Sequence, residues 1–246
     1  MQKTYEESLR LVTRDCDMFG RWRPSAALEA MQEAAGTHAA LLGVGREELI
    51  RAHNVVWVLS RAALALARCP AIGERVTVET FPHPCLRFFY PRYFVFYDEA
   101  RRRIGAAGTL WALVDLSTRR PASVPAVAER LPDNRDIPAP LELPRAVSKL
   151  AGQERLFTRE PAFTELDVNG HVNNARYADY LLDALGLPLL RERTLTSVQV
   201  HFSSEILPGE RLDMRLVTAA DGCYLCGSSG GRVRFEAGGT LAPREP

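Results

Sequence analysis

The sequence predicts an α+β fold in which one unit, a long helix wrapped by an antiparallel sheet, occurs twice in tandem. Three observations predict it. Residues 16–35, CDMFGRWRPSAALEAMQEAA, can be set over residues 166–185, LDVNGHVNNARYADYLLDAL. Each of these segments is a polar loop followed by an apolar-striped helix. Each helix is then followed by short runs rich in β-branched and aromatic residues, punctuated by Gly, Asp and Asn, as strands of a meandering sheet are.

In the overlay Asp17 falls on Asp167, Gly20 on Gly170, Glu29 on Asp179, Met31 on Leu181, Glu33 on Asp183 and Ala34 on Ala184. Further on, Gly73-Glu74-Arg75-Val76 meets Gly209-Glu210-Arg211-Leu212, and GTLWALVDL meets GTLAP. The second copy stops sooner, so its last strand is expected to be the shorter one.

The first helix is expected from Ser25 to Leu42. Ser25 follows Pro24 and can cap it, Leu28, Met31, Ala35 and Leu42 give the apolar stripe, and Gly43 ends it. The second is expected to start near Asn174, with Asn173 or Asn174 as cap. Tyr177, Tyr180, Leu181, Ala184 and Leu185 form its stripe, and Gly186 and Pro188 stop it. Strands are expected in VVWVLSRAALALA, RVTVETF, RYFVFYDEA and RRRIGAAGTLWALVDL, with YDEARRR as the hairpin between the last two. The second copy offers TSVQVHFSSEI, RLDMRLVTA, GCYLCGSS and GRVRFEAGGTL in the same order. From Arg120 to about Arg145 the chain holds Pro121, Pro125, Pro132, Pro138, Pro140 and Pro144 with little periodicity, which reads as an extended surface linker. The expected division is therefore 1–125, a Pro-rich linker over 126–150, and 151–246. One copy alone would leave sheet edges open; two can close them by joining into one continuous sheet.

Composition narrows the function classes. The 246 residues are 46% hydrophobic and 25% charged, ordinary for a globular protein with a sizeable core. The net charge of +1 gives no global attraction for nucleic acid, and no apolar run nears the roughly 20 residues of a membrane-spanning helix. The acidic start MQKTYEESLRLVTRDCD does not read as a signal peptide, which makes the cytoplasm the expected location. Cys16, Cys69, Cys85, Cys223 and Cys226 are odd in number and irregular in spacing, so no disulfide framework is expected, and CYLC reads as a strand rather than a metal site.

The chemistry concentrates in DVNGHVNN, just before the second helix. Amide N–H groups in front of a helix are unpaired and can receive a developing negative charge, here around Gly170 to Asn173. Gly170 allows the tight turn. His171 can donate or accept a proton near neutral pH. Asp167 can orient a neighbour, and Asn169 can donate its amide N–H to a carbonyl or hold a water. On an alternating strand Gln199, His201, Ser203 and Glu205 would share a face, which brings Glu205 forward as a base. In the first copy His171 becomes Arg21, Asn169 becomes Phe19 and Glu205 becomes Cys69. The scaffold occurs twice and the polar constellation once, which argues for chemistry rather than capping.

With those residues in hand, the chain resembles the acyl-[acyl-carrier-protein] thioesterases, the double hot-dog enzymes of plants and bacteria. VVWVLSRAALALARCPAIGERVTVETF, IGAAGTLWALVDLSTRRPASVP and ELDVNGHVNNARYADYLLDAL carry the resemblance, over most of the chain. The resemblance implies hydrolysis of an acyl thioester on acyl carrier protein, releasing free fatty acid and ending chain elongation. No cofactor or metal is expected. It matches the family's catalytic Asp, Asn, His and Glu to Asp167, Asn169, His171 and Glu205. Many plant members have a Cys after that Glu; here Ile206 stands there, which leaves a water-based mechanism. The resemblance also places the acyl pocket in the first half. By position, Leu28, Met31, Trp57, Leu59 and Trp111 are wall candidates, and Gly170 and Asn173 are expected at the thioester. Arg21, Arg23, Arg101 to Arg103, Arg119 and Arg120 are candidates to attract an acidic carrier protein. Acyl-CoA hydrolysis, a hot-dog dehydratase or hydratase, and a non-catalytic acyl-binding module stay open, as do monomer and homodimer.

Overall fold

The computed structural model describes residues 2–244. The chain forms two units, residues 1–144 and 145–246. In the first, β1 (Tyr5–Arg10) precedes α1 (Pro24–Leu41) and α2 (Arg46–His53). Then come β2 (Val55–Leu66), β3 (Arg75–Pro82), β4 (Phe89–Tyr97), β5 (Arg103–Asp115) and α3 (Pro125–Arg130). The strands lie side by side in the order β1-β3-β4-β5-β2, every pair antiparallel.

The second unit has β6 (Gln153–Arg159), α4 (Arg176–Glu192), β7 (Arg193–Leu195), β8 (Ser197–Phe202), β9 (Leu212–Thr218), β10 (Gly222–Ser229) and β11 (Arg232–Pro243). Its sheet runs β6-β9-β10-β11-β8, with β7 on the end of β11. The long helix and the order of the five main strands repeat those of the first unit, so the internal repeat is a repeat of structure; α2 and α3 belong to the first unit alone and β7 to the second. No helix among the described residues is long and apolar enough to cross a membrane.

Four expectations change. Ser25 does not cap α1: Pro24 occupies the first turn, where its fixed φ and missing N–H suit a helix start, and the Ser25 hydroxyl is buried without a partner among the described residues. The strand expected through Glu205 ends at Phe202, because the Ser203 and Ser204 N–H groups both turn to the Arg234 carbonyl (2.9 and 3.1 Å). The Pro-rich stretch is not wholly extended. Pro125 opens α3, which buries Val127 against Val44, Leu49 and Tyr90, while Val147 packs on Val217 and Tyr224 of the second unit. Finally, β11 has 12 residues against 13 in β5, so the second copy is hardly shortened. The edge strands β1 and β6 escape a reading by hydrophobic pattern because they are mostly polar and exposed.

The first unit buries a charge. Arg92 on β4 is 7% exposed, and its guanidinium donates to His38 Nδ1 (3.1 Å) and Thr80 Oγ1 (3.2 Å). His38 is fully buried on α1, and its Nε2 lies 3.2 Å from the Gln2 carbonyl. A carbonyl only accepts, so Nε2 carries the hydrogen and Nδ1 the lone pair that receives Arg92. Burial first, and the neighbouring guanidinium second, push the imidazole down to about 4. The sign of the pH effect follows. As pH falls from the unfolded value near 6.5 toward about 4, the unfolded chain gains a proton that the folded chain refuses, and stability drops. The loss is at most roughly 3 kcal/mol. Denaturant titrations of wild type and His38→Gln across this range should show a steeper fall in wild type; parallel curves would refute the assignment.

Candidate active site

The loop in front of α4 is built from its own main chain. Asp167 N–H donates to the His171 carbonyl (2.9 Å) and Gly170 N–H to the Asp167 carbonyl (3.0 Å). Gly170 has φ +78°, and a Cβ there would meet nothing within 4 Å, so the demand is for the left-handed conformation rather than for space. The Asp167 carboxylate points back into the loop, with Oδ1 accepting the Asn169 N–H (2.8 Å) and Oδ2 the Asn169 side-chain amide (3.2 Å). Asn173 N–H donates to the Glu165 carbonyl, and Asn173 Oδ1 accepts the Ala175 N–H (both 2.9 Å). Asn173 is thus the residue that ties off the helix start, and regular helix begins at Arg176, a little later than expected.

The second loop, residues 203–211, carries Glu205. Arg234 holds it at several points. Its carbonyl takes the Ser203 and Ser204 N–H groups, its Nη1 donates to Ser204 Oγ (3.0 Å), and its Nε donates to Glu210 Oε1 (2.6 Å). Glu210 Oε2 in turn accepts the Leu207 N–H (3.1 Å). Burial alone would raise the Glu210 carboxyl, but the Leu207 N–H, Ser229 and Arg234 outweigh it and hold it below the usual carboxylate range. One backbone bond, Val172 N–H to the Ile206 carbonyl (3.0 Å), docks the two loops together.

The docking brings the four chemical candidates into one place. His171 Nε2 stands 4.0 Å from Glu205 Oε1, and its Nδ1 stands 3.8 Å from Asp167 Oδ1 and 3.4 Å from the Val172 carbonyl. The carbonyl accepts only, which favours the hydrogen on Nδ1 and the lone pair on Nε2, facing Glu205. The side chain of His171 is 21% exposed and that of Glu205 41%, so an incoming group can reach both. Beneath them Tyr177 is buried edge-on against Phe202 (5.0 Å) and Phe235 (4.8 Å). Burial, then the charges of Glu210, Glu205 and Asp167, raise its phenol, which stays protonated.

Sequence reasoning placed Tyr177 in the apolar stripe and passed over Glu165, Glu210 and Arg234. The trace of Glu210 in the sequence is the Gly-Glu-Arg run that it shares with Gly73-Glu74-Arg75. Glu165 joins the loop to the helix: its side chain accepts from Tyr180 Oη and the Ala162 N–H (both 2.8 Å) and pairs with Arg159. Gly170 and Asn173, expected to offer their amides to a substrate, have them bonded within the chain.

The wall candidates lie in the first unit. Leu28 and Met31 are on the buried face of α1, and Leu59 is buried on β2. Trp57 and Trp111 pack on one cluster around Val44, Tyr90 and Leu113, with Trp57 Nε1 donating to the Val44 carbonyl and Trp111 Nε1 to Thr109 Oγ1 (both 2.9 Å). The Arg101–Arg103 run is occupied at the hairpin: Arg101 pairs with Glu6, Arg102 with Asp98, and Arg103 bonds the Pro140 carbonyl. Among the described residues no three His, Cys, Asp or Glu side chains are grouped as a metal ion needs.

Comparison with known proteins adds a family. Residues 2–129 match the acyl-ACP thioesterase N-terminal domain and residues 151–226 the C-terminal domain. A chloroplastic palmitoyl-acyl carrier protein thioesterase of Arabidopsis thaliana is 26% identical over 217 residues, 81% of this chain and 52% of the relative. A chloroplastic oleoyl-acyl carrier protein thioesterase of Coriandrum sativum is 25% identical over 194 residues, 71% of this chain and 52% of the relative. The chain thus spans about half the length of the curated relatives it matches. An acyl-ACP thioesterase structure from Bacteroides thetaiotaomicron superposes with a TM-score of 0.88 at 25% identity, covering 97% of this chain and 98% of that one. The 12:0-ACP thioesterase of Umbellularia californica shares the fold, with a TM-score of 0.84 at 18% identity over 98% of both chains.

The Arg234–Glu210 pair is expected to stabilise the Glu205 loop. Arg234→Met should cost about 1–3 kcal/mol, the range for lost hydrogen bonds to a charged group, and should speed hydrogen exchange at the Leu207 amide. Unchanged stability and exchange would show the loop to be held by its backbone alone.

Proposed function

This chain belongs to the acyl-ACP thioesterase family, and we propose that it hydrolyses the thioester of an acyl-acyl carrier protein, releasing a free fatty acid. The observation that carries the reading is the 4.0 Å gap between His171 Nε2 and Glu205 Oε1. It is too long for a direct hydrogen bond and suits one water that donates to both. A water held by both hydrogens presents its lone pairs to a carbonyl carbon.

The reaction then needs no covalent enzyme intermediate. The water oxygen adds to the thioester carbon as its proton passes to the His171–Glu205 pair, and the carbonyl π electrons move to oxygen. Collapse of the tetrahedral adduct breaks the C–S bond, and the departing thiolate takes the proton, leaving acid and thiol. Asp167 and the Val172 carbonyl keep His171 Nδ1–H in place. Ile206 in the position after Glu205 offers no nucleophile, which supports the water route.

The finer reading is a fatty acyl-ACP hydrolase that ends chain elongation, with acyl carrier protein as the partner. The names of the relatives support carrier protein over coenzyme A as donor. A panel of acyl-acyl carrier proteins from short to long chains, run beside acyl-CoA of equal length, tests it; faster turnover of the CoA forms would reverse the choice. Glu205→Ala and His171→Ala should each lower turnover roughly 100- to 10,000-fold, the usual contribution of a positioned acid–base group. Near-normal hydrolysis in either variant would sink the assignment.

A further inference from the structure

We infer that the main-chain N–H of His171 is the donor to the thioester carbonyl oxygen, and that Asn169 makes it available by drawing the Asp167 carboxylate aside. The inference rests on the hydrolase reading of this site. It comes from setting the two copies of one loop side by side.

The copies share their main-chain bonds closely. Asp17 N–H donates to the Arg21 carbonyl (2.8 Å) as Asp167 does to His171 (2.9 Å), and Gly20 and Gly170 N–H reach the Asp17 and Asp167 carbonyls at 3.0 Å. Trp22 N–H docks on the Pro70 carbonyl (2.9 Å) as Val172 does on Ile206 (3.0 Å). Arg23 N–H bonds Asp15, and Asn173 N–H bonds Glu165, each at 2.9 Å. The glycines have φ +72° and +78°.

The aspartate side chains differ. Asp17 Oδ1 accepts two amides, Phe19 N–H (2.9 Å) and Arg21 N–H (3.0 Å). Asp167 Oδ1 accepts the corresponding Asn169 N–H (2.8 Å), but its other oxygen takes the Asn169 side-chain amide (3.2 Å). The His171 N–H then has no acceptor among the described residues. A phenyl ring at position 19 has no N–H with which to pull the carboxylate round. Asn174 N–H is also open, but amides at a helix start ordinarily are, and the matching residue of the sister copy is Pro24, which has no N–H; the amide matching His171 is bonded in the sister copy.

An unmet amide costs stability unless something occupies it. This one belongs to the residue whose imidazole faces Glu205. A donor held ready where charge develops needs no reorganisation during reaction. Asn169 is on this account a positioning residue acting through Asp167.

The test replaces His171 by its α-hydroxy acid analogue through nonsense suppression, which turns the 170–171 amide into an ester, keeps the imidazole and removes the N–H. On the carrier-protein substrate the unmodified chain hydrolyses fastest, kcat should fall roughly 100- to 1000-fold, as for loss of one oxyanion donor, with KM and the pH profile held. The melting temperature should stay put, while the matching ester at Arg21 should lower it and leave kcat alone. Asn169→Phe, the residue of the sister loop, should lower kcat with KM held, and adding the ester to it should cost nothing more. An ester at 171 with wild-type kcat, or losses that multiply, overturns the inference while leaving the hydrolase reading intact. An unmodified chain that hydrolyses no substrate overturns both.

Discussion

Both halves of the molecule depend on an aspartate that closes the loop in front of a long helix. Asp17 and Asp167 each collect amide N–H groups from residues two and, in the first copy, four places on. A loop closed in this way presents its next amide outward, and that amide docks on the chain leaving the following strand, at Pro70 or Ile206. The helix is thereby set against its sheet at the same point in each copy. The aspartate is therefore not what distinguishes the site half.

What distinguishes the site half is the side chains this frame carries. The frame brings the residue after the glycine next to the residue just before the docking carbonyl. In the first copy these are Arg21 and Cys69, and burial pushes the Cys69 thiol up to about 11, so it stays protonated and inert. In the second they are His171 and Glu205, at 4.0 Å. The half-buried Arg234–Glu210 pair and the buried, protonated Tyr177 stand close to them. The scaffold's cost in ordering the two loops is met by backbone bonds common to both copies.

The first half departs from the rule that buried charges are paired. No carboxylate lies against Arg92 among the described residues, and desolvation alone lowers it to about 10. Its partners are a neutral histidine and a threonine hydroxyl. The arrangement keeps α1 and β4 in a fixed register through directional bonds, at the expense of stability in mild acid.

Much of this was legible in the sequence by itself. Repeated Asp and Gly before each helix, helical stripes such as Leu28, Met31 and Ala35, and the break at Gly186 are local signals, because they reflect backbone conformation and periodicity over a few residues; Gly186, at φ +77°, kinks α4 rather than ending it, and helix resumes to Glu192. The asymmetry of His171, Asn169 and Glu205 between copies was visible for the same reason. The tertiary structure decided what locality cannot. Glu205 lies on a loop and not on a strand, because the Arg234 carbonyl, some 30 residues further on, captures the Ser203 and Ser204 amides. Arg234, Glu210 and Glu165 matter through partners distant in the chain, so no spacing announces them. And whether the His171 amide is bonded turns on which way one carboxylate rotates, a choice that Asn169 makes only once the loop has closed.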